Sequence, residues 1–281
     1  MNPIKTALAV MVCVMGIAQS AIAADTVCTG TLGAITVPGN LVVPARRTCT
    51  LNGTEVVGDV TVRSNGVLNA NAAVLDQNLY TQGFSSINLL DTLVLGSFQT
   101  LTPSASSCSY GTGCLVFEGT YFGGDVLIGP ATSTTTQKPI VNCLSIDASD
   151  IGGNLVINSV RAKYASSTMP PAVEVTNSFI GGDMLVSNMA TAGTCRGPQI
   201  NFNIDTNRIN GTFLFENNAI NSTISGNTAA GDMSYLCNRS PGSLTNNDVG
   251  GNLAYQSTAP VPTVSGNFVG GTTTTVACTT P

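Results

Sequence analysis

Phe122-Gly123-Gly124-Asp125-Val126-Leu127-Ile128 sets an apolar residue and two glycines ahead of a strand-like alternation. The phrase returns as Ile151-Gly152-Gly153-Asn154, Ile180-Gly181-Gly182-Asp183, Ile209-Asn210-Gly211-Thr212, Ala229-Ala230-Gly231-Asp232, Val249-Gly250-Gly251-Asn252 and Val269-Gly270-Gly271-Thr272. The last glycine of each falls at 124, 153, 182, 211, 231, 251 and 271, so the step is 29 three times and then 20 three times. A fixed step of this size marks a repeat architecture in which each turn is a unit stacked on its neighbours.

Around each glycine the residues align in columns. Two positions before it stand Phe122, Ile151, Ile180, Ile209, Ala229, Val249 and Val269, and two after it Val126, Leu155, Met184, Phe213, Met233, Leu253 and Thr273. Seven before it stand Phe117, Ile146, Val175, Ile204, Ile224, Leu244 and Val264. Strands alternate their side chains with period two. Equivalent residues that recur in phase stack in one core, because no 20-residue turn buries its apolar side alone. The expected architecture is all-β, a single-domain parallel β-helix (β-solenoid) of roughly eleven coils, about 50 Å long at ~4.8 Å per strand.

Two polar columns define the corners. Four positions before the glycine stand Thr120, Ser149, Ser178, Asn207, Asn227, Asn247 and Asn267. Stacked amides can hydrogen-bond along the axis, an asparagine ladder; the competing reason for Asn is its tolerance of left-handed backbone in turns. Directly after the glycine stand Asp125, Asn154, Asp183, Thr212, Asp232, Asn252 and Thr272, with no two acids adjacent. Carboxylates one rung apart repel by about 1 kcal/mol even at the dielectric of water, so the column reads as a turn arranged against self-repulsion. Calcium is the functional alternative, but the Gly-Gly-x-Gly-x-Asp repeat of calcium-binding β-rolls does not occur.

The extra residues of the long coils are expected in one place, after the strand that follows the glycines: Gly129 to Pro139, Asn158 to Pro171 and Ser187 to Pro198. One outward row, Leu127, Val156, Leu185 and Leu214, is apolar only in these coils, then becomes Ser234, Ala254 and Thr274. The loops are expected to fold over it; uncovered, it would be a partner site. Towards the N-terminus, Val37-Pro38-Gly39-Asn40 and Val57-Gly58-Asp59 carry the motif 19 residues apart, whereas the register of 67–95 stays open. Residues 103–113, polar and turn-rich, read as an excursion from the stack.

Residues 1–23 carry one early charge, Lys5, an apolar run from Ala7 to Ile17 and the small-residue site Ala21-Ile22-Ala23. This reads as a signal peptide, too short to span a bilayer. The expected location is secreted or periplasmic, with no transmembrane segment after signal removal. Eight cysteines follow, at 28, 49, 108, 114, 143, 195, 237 and 278, an even number that in an exported chain reads as disulfides. Cys28–Cys49 share a corner in consecutive coils. Cys108–Cys114 would close the excursion, Cys237–Cys278 would tie the C-terminus, and Cys143–Cys195 follows by elimination.

Charged residues make up 9% of the chain, against roughly 25% in ordinary soluble domains. The apolar share is 43%, which disfavours disorder, and the net charge of -5 argues against nucleic acid. There is no His, so triads and most transition-metal sites lack a usual member. No cofactor, metal or catalytic residue is assigned. The one constellation with possible chemistry is outward: Glu118, Asp147, Glu174 and Asp205 in four successive coils. Carboxylates about 5 Å apart approach the separation used by retaining glycosidases. Lys138, Arg161, Lys163 and Arg196 in the long loops could offer a positive ridge to an acidic polysaccharide. Outward positions are also simply where charges go.

The Asn column at 207, 227, 247 and 267, the 20-residue coil and the Gly-Gly-Asp/Asn turns resemble the right-handed parallel β-helix of pectin-lyase-like proteins. The short Gly-Asn/Asp repeat looks like that of bactofilins, and the Cys28-to-Cys49 opening looks like exported bacterial β-helix proteins of unassigned function. The resemblance implies a right-handed helix and supplies no catalytic motif. The expected function is an exported, non-catalytic structural or surface-interaction protein at the bacterial surface. It is expected to be a monomer, with a polysaccharide or protein partner. The alternative is a protein that binds or cleaves an acidic polysaccharide.

Overall fold

The computed structural model describes residues 24–82, 86–102, 114–129, 140–141, 143–162, 173–191 and 201–278. It is a right-handed parallel β-helix with three long parallel sheets of 12, 11 and 11 strands. Each coil contributes one strand to each sheet in turn, and every strand pairs with its equivalents in the coils before and after. We call the sheet that follows the Gly-Gly turn sheet A, the next sheet B and the last sheet C. The signal-peptide reading at 1–23, the excursion at 103–113, and Cys108 and Cys195 lie outside the described residues.

The columns are the register. Phe122 stands against Ile151, Ile151 against Ile180 and Ile180 against Ile209 in sheet C. Val126, Leu155, Met184, Phe213, Met233 and Leu253 succeed one another in sheet A. Phe117, Ile146, Val175, Ile204, Ile224 and Leu244 do so in sheet B. All of these side chains are buried. The early coils have the same plan on a 19-residue step: Val37, Val56, Leu75 and Val94 lead into Phe122. Gln77 occupies the position of the last glycine in one of them, which hides that register in the sequence. Where the step lengthens, Phe98, Phe117 and Phe122 pack edge to face, with ring centroids 5.0 to 6.4 Å apart.

The glycine pair has a steric cause. A Cβ on Gly152 would strike the carbonyl oxygen of Gly123 one coil earlier. A Cβ on Gly153 would strike Oδ1 of Asp125, which reaches over that glycine to accept the backbone N–H of Asn154 at 2.7 Å.

The corner between sheets B and C holds the asparagine ladder. Nδ2 of Asn207 donates to Oδ1 of Asn227 at 2.9 Å, Asn227 to Asn247 at 3.0 Å, and Asn247 to Asn267 at 2.9 Å. The same oxygens accept the backbone N–H of the coil before, as from Asn207 to Asn227 at 3.0 Å. The amide nitrogens also donate to carbonyls of the preceding coil, Asn227 to Ile204 at 2.9 Å. Hydroxyls perform the acceptor role earlier: the N–H of Thr120 donates to Ser149, and that of Ser149 to Ser178. The left-handed residue of this corner is the one before the ladder. It is Gly53, Ala72, Asp91, Gly119, Ala148, Asn177, Thr206, Gly226, Asn246 and Gly266, with φ between 47° and 67°. Hydrogen bonding along the stack, and not left-handed backbone, therefore accounts for the four asparagines.

A second ladder, absent from the sequence reading, caps the strands of sheet A. The N–H of Met189 donates to Oδ1 of Asn218 at 2.8 Å, that of Asn218 to Asn238 at 3.0 Å, and that of Asn238 to Oε1 of Gln256 at 2.6 Å. Asn218 and Asn238 each stand seven residues after the last glycine, where the two coils before have Val160 and Met189.

Among the described residues three disulfides cross between coils, compatible with an oxidising compartment. Cys28–Cys49 and Cys237–Cys278 are as expected, with Cα separations of 5.4 and 5.2 Å. The other two expected pairs are corrected, because Cys114 is bonded to Cys143 at a Cα separation of 4.6 Å. These two are direct register partners at the head of sheet B. One rung brings them within disulfide reach. Both stand ten residues before their glycines, a signal that the 29-residue step already carried.

The long coils also differ from expectation. Ile140–Val141, Arg161–Ala162 and Ala190–Thr191 form a short fourth parallel sheet. In the first long coil residues 130–139 precede this strand, and in the next two residues 163–172 and 192–200 follow it. The extra residues thus enter on either side of a shared rung and not at one point.

Asn227→Leu is expected to destabilise by about 3–5 kcal/mol, since it strips acceptors from two buried N–H groups of Asn207. The check is thermal or urea unfolding beside a control at exposed Asn52. Thr206→Asn is expected to stabilise by about 0.5–1 kcal/mol, because a β-branched residue is costly at φ 58° and Asn177 and Asn246 hold the same place. A lower melting temperature for Thr206→Asn would refute this reading of the corner.

Candidate functional site

The outward carboxylates do not form one row. Glu118 and Asp147 are register partners, but the next place is taken by Thr176, followed by Asp205 and Ser225. Glu174 lies two residues earlier on its strand, beside Ser145 and Asn203. Positions six and eight before the glycine both point outward, and the sequence reading merged them. Of the four, only Glu118 and Asp147 are direct register partners on adjacent rungs. Oδ1 of Asp147 accepts from Oγ1 of Thr176 at 2.6 Å and Nδ2 of Asn177 at 2.9 Å. Glu174 accepts from Ser145 at 2.8 Å, and Asp205 from Ser225 and Thr206. Three of the four carboxylates are thus acceptors within the stack. The basic ridge falls outside the described residues at Lys138, Lys163 and Arg196; of Arg161 the backbone is described, in the fourth sheet.

The turn column extends further than the sequence showed. Asp25, Asn40, Asp59, Asn78 and Ser97 precede Asp125 in it. Each acid has neutral neighbours, and its oxygen accepts the next coil's N–H, as from Asn78 to Asp59 at 3.0 Å and from Asn252 to Asp232 at 2.7 Å. The spacing serves hydrogen bonding along the turn. Among the described residues no group of three or more His, Cys, Asp or Glu is placed to hold a metal ion.

The outward row of sheet A, Leu127, Val156, Leu185 and Leu214, is in register and half-buried. In the core beneath it, Phe215 and Tyr235 stack with ring centroids 5.3 Å apart. The Tyr235 hydroxyl is within 3.3 Å of Ser222 Oγ; burial pushes its pKa up, partly offset by that hydrogen bond. Gly242 leaves room for this ring, since a Cβ there would run into the hydroxyl.

Sheet C carries a feature that the sequence reading missed. Its outward positions place Tyr121, Asp150, Phe179 and Arg208 on four successive rungs. Tyr121 is 41% exposed, and Arg208 lays its guanidinium over the Phe179 ring, 5.8 Å from the centroid. Away from the two end coils, the exposed large apolar residues among those described are Tyr121 on this face and Val57 and Leu95 in the turns that directly follow its strands. Each of these residues directly flanks an inward column residue, so the signal was present but spread over separate coils.

Asn154→Asp would put three acids on consecutive rungs, Asp125, the new carboxylate and Asp183, and remove the amide donor to Asp125. The expected cost is about 1–3 kcal/mol at pH 7. The like charges raise the folded-state pKa of the group above its unfolded value. The repulsive part of the deficit is therefore full above the folded pKa and fades as pH falls through the carboxylate range. Unfolding curves of both proteins between pH 3 and 8 measure it.

Comparison with protein-family models, curated proteins and solved structures gave no match.

Proposed function

We propose that this chain is an exported, non-catalytic β-helix that serves as a rigid structural or surface-interaction scaffold, secreted or periplasmic and monomeric. The observation that carries the reading is the fate of the outward carboxylates. Asp147, Glu174 and Asp205 accept hydrogen bonds from their own neighbours along the stack, a structural use that leaves no matched acid and base pair among them. The chain's 15 acidic and 10 basic residues in 281 also make a sparse surface, suited to contact through shape and neutral groups. Disulfides across coils support export.

The second reading, binding or cleavage of an acidic polysaccharide, is favoured by one observation: Glu118 and Asp147 are paired on adjacent rungs. Incubation with polygalacturonate and alginate, with product analysis by ultraviolet absorbance and reducing-end assay, decides between them. The expected result is no release of cut or unsaturated oligosaccharide by the wild type. Release that Glu118→Gln or Asp147→Asn abolishes would establish the enzyme instead.

A further inference from the structure

We propose that the outward face of sheet C is a binding strip for a neutral, extended β-linked polysaccharide, laid along the helix axis over Tyr121, Asp150, Phe179 and Arg208. The proposal rests on the surface-interaction reading above and names the surface and the ligand class.

The strip's spacing carries the argument. Tyr121 and Phe179 are two rungs apart through register pairs with Asp150, about 10 Å at the ~4.8 Å strand spacing. In a β-1,4-linked glycan each sugar is turned over relative to the last, so like faces recur every second residue. The apolar C–H faces of sugar rings stack on aromatic side chains, which offer large contact area at little entropic cost. Rings on alternate rungs, with polar groups between, match that alternation. Asp150 accepts and Arg208 donates, and both can reach ring hydroxyls. They are one acid and one base, so the strip has no net charge to favour an ionised polysaccharide. Arg208 also fixes the Phe179 ring from its C-terminal side.

The neighbouring backbone leaves room for such a chain. Beside the three N-terminal rungs of the strip run Gly123, Gly152 and Gly181, which stack without side chains. The result is a strip of bare backbone beside the rings, with no side chain at these positions to obstruct a glycan chain. A protein partner would instead need a broad apolar patch with a buried centre.

The test is isothermal titration of the full chain with soluble cellohexaose and chitohexaose, and with oligogalacturonate as the acidic comparison. The neutral hexasaccharides are expected to bind. Tyr121→Ala is expected to weaken them about tenfold, as is Phe179→Leu, which keeps apolar packing but removes the ring. Asp150→Asn is expected to weaken them less, and Thr228→Ala, on the same face beyond Arg208, to leave them unchanged. Melting curves confirm that each variant is folded. Neutral binding indifferent to Tyr121→Ala and Phe179→Leu would overturn the strip, as would no neutral binding. Oligogalacturonate binding indifferent to both substitutions, without neutral binding, would overturn the strip while leaving the surface-interaction reading standing. A dimer in light scattering that Tyr121→Ala dissolves would make this face a protein interface and overturn the glycan.

Discussion

The tightest constraint on this molecule is the reach of one oxygen across one glycine. At the turn before sheet A, the side chain of one coil passes over the next coil's last glycine to accept a backbone N–H, as Asp125 does from Asn154 and Asp183 from Thr212. Backbones must lie one rung apart for this bond to close, and in the glycine coils a Cβ beneath it would meet the accepting oxygen, Gln77 being the exception that keeps the same bond from Asn78 to Asp59. The Gly-Gly pair, the short polar residue after it and the even stacking of three sheets are consequences of that contact. It also explains why coils of 19, 20 and 29 residues keep a common register. Length can vary wherever this turn is not, and it does so between sheets A and B.

The sequence made legible whatever recurs. Ile151, Ile180 and Ile209 announce a core column because each occupies the same environment, and the asparagines at 207, 227, 247 and 267 announce a ladder for the same reason. What happens once is harder to read. Gln77 replaces a glycine and conceals the first register. Glu174 sits two residues from the place that its charge suggested, since both positions face out of sheet B. The second amide ladder has only Asn218 and Asn238 before Gln256 completes it from a different offset. Cys114–Cys143 is legible from the step alone, since both stand ten residues before their glycines, but closeness in sequence favours Cys108–Cys114 wherever rung distance is left out. The aromatic strip was missed because composition counts few aromatic residues and says nothing of their alignment.

The three faces divide the work of the surface. Sheet B faces out with hydroxyls, amides and tethered acids that satisfy one another. Sheet A faces out with half-buried aliphatics in the coils that carry the long loops. Sheet C carries the exposed rings Tyr121 and Phe268, and exposed aliphatics follow its strands in the turns. The interior is continuous beneath all three, so a substitution on one face reaches the others only through the core columns.

The cysteine bonds at the two extremities bear on how such a stack comes apart. A solenoid has no contact between distant coils, so its weakest points are the outermost rungs, each held from one side only. Cys28–Cys49 clasps the opening rungs, and Cys237–Cys278 spans 41 residues to clasp the closing ones. Apart from Thr26–Val27, which precedes Cys28, the strands of the end rungs therefore lie within covalently closed loops. Backbone released there stays tethered and returns to its rung. The molecule thus carries a covalent clasp near each end of the stack.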